Sequence, residues 1–540
     1  MYKCIILLLV TLYCRVSAQD STQLSVSKFW WYEHLQENNI PGISFAEAIT
    51  LLNEQKPKKE VIIAVLDSDI DINHSVLNRL IWSNTNEIPN DGIDNDNNGF
   101  IDDIHGWNFL GRKKDGINLA YNLMEETRIL RKYDSATING LYKARKIPFR
   151  YTTLLKEYNK TIDTLKADIE LYTGIKYTFD IVRDTLHKYK SSAELDSVYI
   201  DTLTSSDNLT QQYIDYIKNY LKNYGKYDQV LEMLDFKTKS LEVCMNREYD
   251  NRELVGDDQY DITDIKYGSS TFGKTLDIST HSTEVSSIIA QVIHHLDSLV
   301  PNAPTIKIMP IVVTAIGDYT EKDLALAIRY AVDNEADVIN FSQSKQFSIT
   351  EKWIDNAIRY AEKHNVLFVN SAGNDGENID LPENHQYPDD RNSDGKEIYD
   401  NFISVGGSSY QLDKNIVYSD SNYGKENVDL LAPGSKIFTY LPKGETDSES
   451  NGTSFSAPIV ATVAALIKAY YPDLTAAEVK KILMDSVTKY DVDVEIKEKN
   501  EKGEKITKMI PFFQLSKSGG IVNAYNALLL AEKVSKGKEK

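Results

Sequence analysis

The sequence predicts an α/β fold: a parallel sheet with helices on both faces, plus an α-helical insertion. Three observations carry this. Short apolar runs at 61–66, 306–313, 337–342 and 366–370 alternate with longer amphipathic stretches at 321–334 and 350–364, the pattern of buried parallel strands joined by covering helices. From about residue 110 to 260 that alternation stops, and Pro148 is the only proline between Pro89 and Pro301. Residues 453–467 are rich in Ala and Val, too long and too small-sided for a strand, and read as a buried helix.

Taken in order, the chain opens on Lys3, an apolar run from Ile5 to Tyr13 and Val16-Ser17-Ala18. That is the layout of a secretory signal over residues 1–18, too short to span a membrane. The bulky Tyr13 before Cys14 argues against lipid attachment. Removal of 1–18 leaves Cys244 alone, so the exported chain has no internal disulfide. Residues 19–60 carry Phe29-Trp30-Trp31 and a helix pattern from Ser44, with Ser44 and Glu47 spaced as a capping box. This segment is either a stub packed on the core or a short removable pro-segment.

The strand at 61–66 ends in Asp67, a carboxylate at a carboxyl edge. Asn90 to Asp103 is dense in Asp and Asn, with oxygen side chains at alternate positions before Gly99. It resembles half of a calcium loop, with Asp94, Asp96, Asn98 and Asp102 as candidate ligands and Asp103 able to substitute. The plain alternative is an Asn/Asp-rich turn. In residues 110–262 Tyr151, Leu155, Tyr158, Ile162, Leu165, Ile169 and Tyr172 form a heptad seam, and similar stripes follow from Tyr213 to Leu241. Gly174 and Gly225 read as turns between antiparallel helices.

His281 opens a run of small and apolar residues that reads as a helix. Residues 366–370 run into Asn370-Ser371-Ala372-Gly373-Asn374. Asn451-Gly452-Thr453-Ser454 opens the Ala- and Val-rich helix. A lone Gly-Thr-Ser is an ordinary helix start. A serine hydroxyl attacks only when a base takes its proton and a third group orients the base, and here Asp67 and His281 supply both types. Residues 486–516 are charged and break the strand–helix pattern, and 263–540 complete the domain begun at 61–109.

The four stretches, in the order Asp, His, Asn, Ser, resemble those of the subtilisin-like serine proteases, the subtilases, over about 60–110 and 265–530. The resemblance implies that Asp67 orients, His281 is general base and acid, Ser454 attacks, and Asn374 donates to the oxyanion. The chain departs from the family at Asp69, Ser282 and Ser287, where glycines are usual, and at Phe341-Ser342-Gln343-Ser344-Lys345, where Met-Ser-Leu-Gly-Gly lines the cleft. Ser342 and Ser344 are then the candidates for pairing with an extended peptide. Asp69 is expected to tolerate a left-handed backbone and, as a second carboxylate, to favour the imidazolium and raise the working pH.

A net charge of −20 over 540 residues argues against nucleic-acid partners. The leading expectation is an exported serine endopeptidase, periplasmic or secreted, with a protein or peptide substrate and a structural calcium ion. The alternative is a silent subtilase fold that binds a protein partner through its insertion, supported by the lost glycines and opposed by the intact Asp67, His281, Asn374 and Ser454. A third reading makes the insertion the selector of a dedicated processing protease.

Overall fold

The computed structural model describes residues 27–32, 39–112, 114–144, 151–187, 202–224, 227–277, 279–392, 395–444, 448–499 and 505–538. The expected signal at 1–18 and the turn at Gly225 lie outside them.

The chain enters through Trp30 and Trp31, both fully buried, and helix α1 (Phe45–Leu52). The indole nitrogen of Trp30 donates to the carbonyl oxygens of Ser435 and Lys436. The Ala524 amide donates to the Ile43 carbonyl. The stub is thus part of the core. The capping box expected at Ser44 does not form: Ser44 is left-handed, with φ 57°, and makes no side-chain cap. Its hydroxyl accepts from Asn523 instead.

Strands β1 (Val61–Asp67) and β2 (Trp107–Asn108) precede the insertion. Its helices are α2 (Glu125–Lys132), α3 (Ser135–Lys143), α4 (Tyr151–His187), α5 (Asn208–Tyr224) and α6 (Tyr227–Lys239). The turn expected at Gly174 is absent. Gly174 sits inside α4, whose 37 residues reach roughly 55 Å at 1.5 Å per residue. An added Cβ at Gly174 would meet nothing within 4 Å, so an open helix face carries it. Ile175, Phe179, Ile214, Ile217, Tyr220 and Val230 form the insertion's own small core.

The remainder is α7 (His281–Leu299), β3 (Ile306–Val312), α8 (Glu321–Asp333), β4 (Val338–Phe341), α9 (Glu351–Lys363), β5 (Leu367–Ser371), β6 (Phe402–Ser408), β7 (Leu430–Pro433), β8 (Ile437–Thr439), β9 (Ser448–Ser450), α10 (Thr453–Tyr470) and α11 (Ala476–Asp485). The hairpin β10 (Asp493–Lys499) and β11 (Lys505–Pro511) and helix α12 (Ala524–Lys538) close the chain. The hairpin occupies the charged stretch that breaks the sequence pattern.

The main sheet has seven strands in the order β2-β3-β1-β4-β5-β6-β7, parallel throughout. Val61, Ile63 and Val65 of β1 face the core shared with α7 and α10, while Ala64 and Leu66 face that of α8 and α9. This is the predicted α/β architecture with both faces covered. The strand order reverses around β1, whose neighbours are β3 and β4. Asp67, at the carboxyl end of β1, therefore stands at a topological switch point, where α/β sheets leave a crevice. Helix α10 is long and apolar enough to cross a membrane by composition, yet it runs buried against the sheet.

Candidate active site

Asp67 is fully buried and accepts from the Ser68 amide at 2.6 Å. His281 is the first residue of α7, where nothing precedes it in the helix to cover its ring. Its Nδ1 lies 2.9 and 3.0 Å from the two Asp67 oxygens. An ionised Asp67 fixes the proton on Nδ1 and leaves Nε2 as the free base. Burial lowers the His281 pKa, but the Asp67 charge and hydrogen bond, with the Glu284 charge, outweigh it and leave the value raised.

Ser454 is the second residue of α10, where the backbone N–H has no partner within the helix. Its hydroxyl donates to the Ser342 carbonyl at 3.0 Å, while the Ser342 hydroxyl donates to the Ser454 carbonyl at 2.8 Å. The imidazole lies beside the first turn of α10. The Phe455 ring is 5.8 Å from it, and the Gln343 amide nitrogen is 3.5 Å from its Nδ1. Among the described residues the Ser454 hydroxyl bonds the Ser342 carbonyl, and no contact with His281 Nε2 is made. Such contacts often tighten only with substrate bound.

Asn374 is exposed, and its carboxamide oxygen accepts from the Thr453 amide at 2.8 Å and the Thr453 hydroxyl at 3.1 Å. With the oxygen so held, the amide N–H₂ is the end left to donate. Gly452 has φ 143°, and a Cβ there would sit 3.4 Å from that nitrogen. Gly373 has φ 97°, and a Cβ would reach within 2.5 Å of Asn422. Both glycines keep the wall thin. Thr453 and Asn422, which orders the loop after Asn374 through the Asp375 and Glu377 amides, were not singled out in the sequence. The only local signal for Thr453 is its place beside Ser454.

Ser342 is buried with its hydroxyl engaged inside the protein, whereas Ser344 is half-buried. The segment continues into Lys345, whose amide and carbonyl pair with Tyr387.

Asp69 does not do what its sequence suggests. Its φ is not positive. Its carboxylate accepts from the amides of Gly273, Lys274 and Thr275 at 2.7, 2.6 and 2.8 Å. It staples the loop before α7 and is not among the charges that shift His281.

Of the four candidate metal ligands, the fold gathers one with other acids. The Asp94 carboxylate caps the amides of Asn98 and Gly99, and that of Asp102 caps Asp91 and Gly92. Glu87, Asp96 and Asp103 bring oxygens within 4.8 Å of one another, and the Asn98 side-chain amide bonds Asp96 and Asp103. Burial, with the Asp96 charge, raises the Asp103 pKa against hydrogen bonds from Tyr330, Asn98 and Asn84. An all-oxygen set with crowded like charges suits a hard divalent cation such as calcium. Glu87 precedes the Asn/Asp run and carries no spacing signal.

The sequence model of the subtilase family matches residues 58–504. Subtilisin-like protease 1 of Plasmodium falciparum (isolate 3D7) is 30% identical over 259 residues, 45% of this chain and 36% of that protein. The cell wall-associated protease of Bacillus subtilis (strain 168) is 29% identical over 353 residues, 60% of this chain and 37% of that protein. The chain thus spans little more than a third of these relatives' length. The solved structure of prenylagaramide maturation protease PagA is 26% identical, covering 47% of this chain and 83% of that one, with a TM-score of 0.35.

Proposed function

The chain belongs to the subtilase family, and from that membership we propose that it is an exported serine endopeptidase. His281 Nε2 takes the Ser454 proton as Oγ attacks the scissile carbonyl. Asp67 holds the imidazole in the correct tautomer and stabilises the imidazolium. The oxyanion is met by the Asn374 side chain and the free Ser454 N–H at the positive end of α10. His281 then protonates the leaving amine, and water hydrolyses the acyl-enzyme by the same route in reverse.

The observation that carries this reading is the bidentate contact of Asp67 with His281 at the switch point, with Ser454 opening a helix beside it. The division of the chain at 110 and 262, a peptide-pairing role for Ser342 and Ser344, and export belong to the same proposal. Because the Ser342 hydroxyl is occupied, Ser344 is the stronger candidate for contact with an extended peptide. A structural calcium ion would be held by Glu87, Asp96 and Asp103; it would neutralise their charge and supply no chemistry to the reaction.

A fluorophosphonate probe tests the reading directly. The wild-type chain is expected to label and Ser454→Ala is not. Failure of the wild type to label would leave the fold as a binding module.

A further inference from the structure

Glu284 follows His281 by about one turn of α7 and is buried. One carboxylate oxygen accepts from the Thr280 hydroxyl at 2.8 Å. The other accepts from the Ser450 hydroxyl at 2.6 Å and the Thr439 hydroxyl at 3.0 Å. Those two hydroxyls are themselves 3.1 Å apart. Thr439 ends β8 and Ser450 ends β9, so the carboxylate grips both strands of one hairpin. From Ser450 the chain has little slack: the Asn451 side chain accepts from the Lys436 amide at 2.8 Å, and the Gly452 amide donates to Gly434 at 2.7 Å. Thr453 then opens α10.

We propose that Glu284 is a positioning residue for the His281–Ser454 pair: it ties the first turn of the histidine helix to the hairpin that delivers the serine, and holds a second negative charge beside the imidazole. This rests on the serine-protease reading above. An acidic residue in a first helical turn stabilises the helix dipole on its own. That role is served by an exposed side chain and needs no hydroxyls from a distant hairpin. The groups facing His281 are few. From β1 comes Asp67, from its own helix Glu284, from the cleft segment the neutral Gln343, and from α10 the Phe455 ring. Asp69 is turned to the amides of 273–275. Among the described residues Glu284 is therefore the one charge besides Asp67 that acts on the base, and it raises the His281 pKa.

The test compares Glu284→Gln and Glu284→Ala in the full chain, by the pH profile of kcat/KM and of fluorophosphonate labelling. Glu284→Gln keeps the shape and an accepting oxygen but loses the charge, so the acidic limb moves to lower pH. Glu284→Ala also frees the hairpin, so kcat falls roughly tenfold or more with KM little changed. Ser450→Ala is expected to lower kcat in the same sense without moving the limb. If Glu284→Ala does not fold, the limb of Glu284→Gln decides alone. Folded variants with an unmoved limb and unchanged kcat would overturn the proposal and leave Glu284 a helix-start residue. Failure of the wild type to label would instead sink the protease reading, and the His281 imidazole titration by NMR in wild type and Glu284→Gln would still read the charge.

Discussion

Replacing Lys345 by Met is the sharpest test of how the insertion bears on the cleft. Lys345 is buried, and its ammonium lies 2.9 Å from Glu125 Oε2, 2.9 Å from Glu321 Oε1 and 3.1 Å from the Tyr319 carbonyl. Glu125 begins α2 of the insertion, and Glu321 begins α8 of the sheet domain. Methionine fills similar volume but leaves two buried carboxylates short of one cation. Arg128 still binds Glu125, and Ser348 still binds Glu321, so the site keeps partners yet carries an uncompensated charge. Removing one partner of a buried pair costs about 3–5 kcal/mol. Burial would raise the Glu321 pKa, but Lys345 and Arg128 hold it down to about 2; burial and the Glu321 charge leave that of Glu125 raised, so Glu321 is the carboxylate that chiefly matches the Lys345 charge. A depressed carboxyl contributes stability above its unfolded pKa of 4.5 that is lost as pH falls toward 2. The deficit of Lys345→Met is therefore largest at neutral pH and shrinks in acid. Urea midpoints at pH 7 and pH 4 read it. Steady-state kinetics on a peptide read the cleft, where KM is expected to rise more than kcat falls, since Lys345 ends the segment Ser342–Lys345. Adding Glu125→Gln should recover part of the loss, with a coupling of roughly 0.5–3 kcal/mol. A Lys345→Met chain within about 0.5 kcal/mol of wild type and with unchanged KM would refute the reasoning, because surface substitutions fall in that range.

Asn374→Ala is expected to lower kcat by about 10²–10³-fold, about 3–4 kcal/mol, with KM little altered; a loss of only a few-fold would remove Asn374 from the oxyanion site. Trp30→Ala should cost about 3–5 kcal/mol by urea unfolding, because a fully buried indole is lost; a cost under about 1 kcal/mol would make the N-terminal stub separable. Because the His281 pKa is raised by Asp67 and Glu284 against burial, kcat/KM should climb as pH rises through that raised value, and the His281–Asp67 pair should lend stability that fades over the same rise. A limb at or below the ordinary imidazole range would contradict this. Chelation should lower the melting temperature, added calcium should restore it, and Asp103→Asn should blunt both; a melting temperature indifferent to chelator and calcium would leave the acidic loop without a cation.

Four strands of the main sheet, β1, β3, β4 and β5, were legible because a strand buried on both faces has no polar side to show. Val61–Asp67 and Leu367–Ser371 therefore stand out as apolar runs. The hairpin β10–β11 was not, although Val494 and Ile496 turn inward while Lys and Glu dominate the outer positions. Its alternation is drowned by charge. Gly174 was misread because a glycine inside an exposed helix face looks like a break. The Asp67–His281 contact spans 214 residues, and only the resemblance to a known family joins them on paper. No such aid exists for Lys345 with Glu125, separated by 220 residues, or Glu284 with Ser450, separated by 166. Those pairs follow from packing alone.

The lost glycines were the one sequence feature that spoke for a silent fold, and three of the five replacements have found work in the structure. Asp69 collects three backbone amides of the loop before α7. Ser287 accepts from the Tyr440 amide and donates to the Glu284 carbonyl. Lys345 lies among Glu125, Glu321 and the Tyr319 carbonyl. A position drifting free of selection for shape would leave buried polar groups unpaired, at about 1–3 kcal/mol each. Here the polar side chains at these three positions meet partners contributed by other parts of the chain. The third case also accounts for the insertion's root. The lysine buried in the cleft segment meets Glu321 of the sheet domain and, from α2 of the insertion, Glu125. Phe347 and, at its edge, Ile349 pack with Ile129, Leu130 and Leu154 of the insertion. The departure from glycine at 345 and the insertion between β2 and α7 are therefore one structural feature, and a change in either is felt in the segment that faces Ser454.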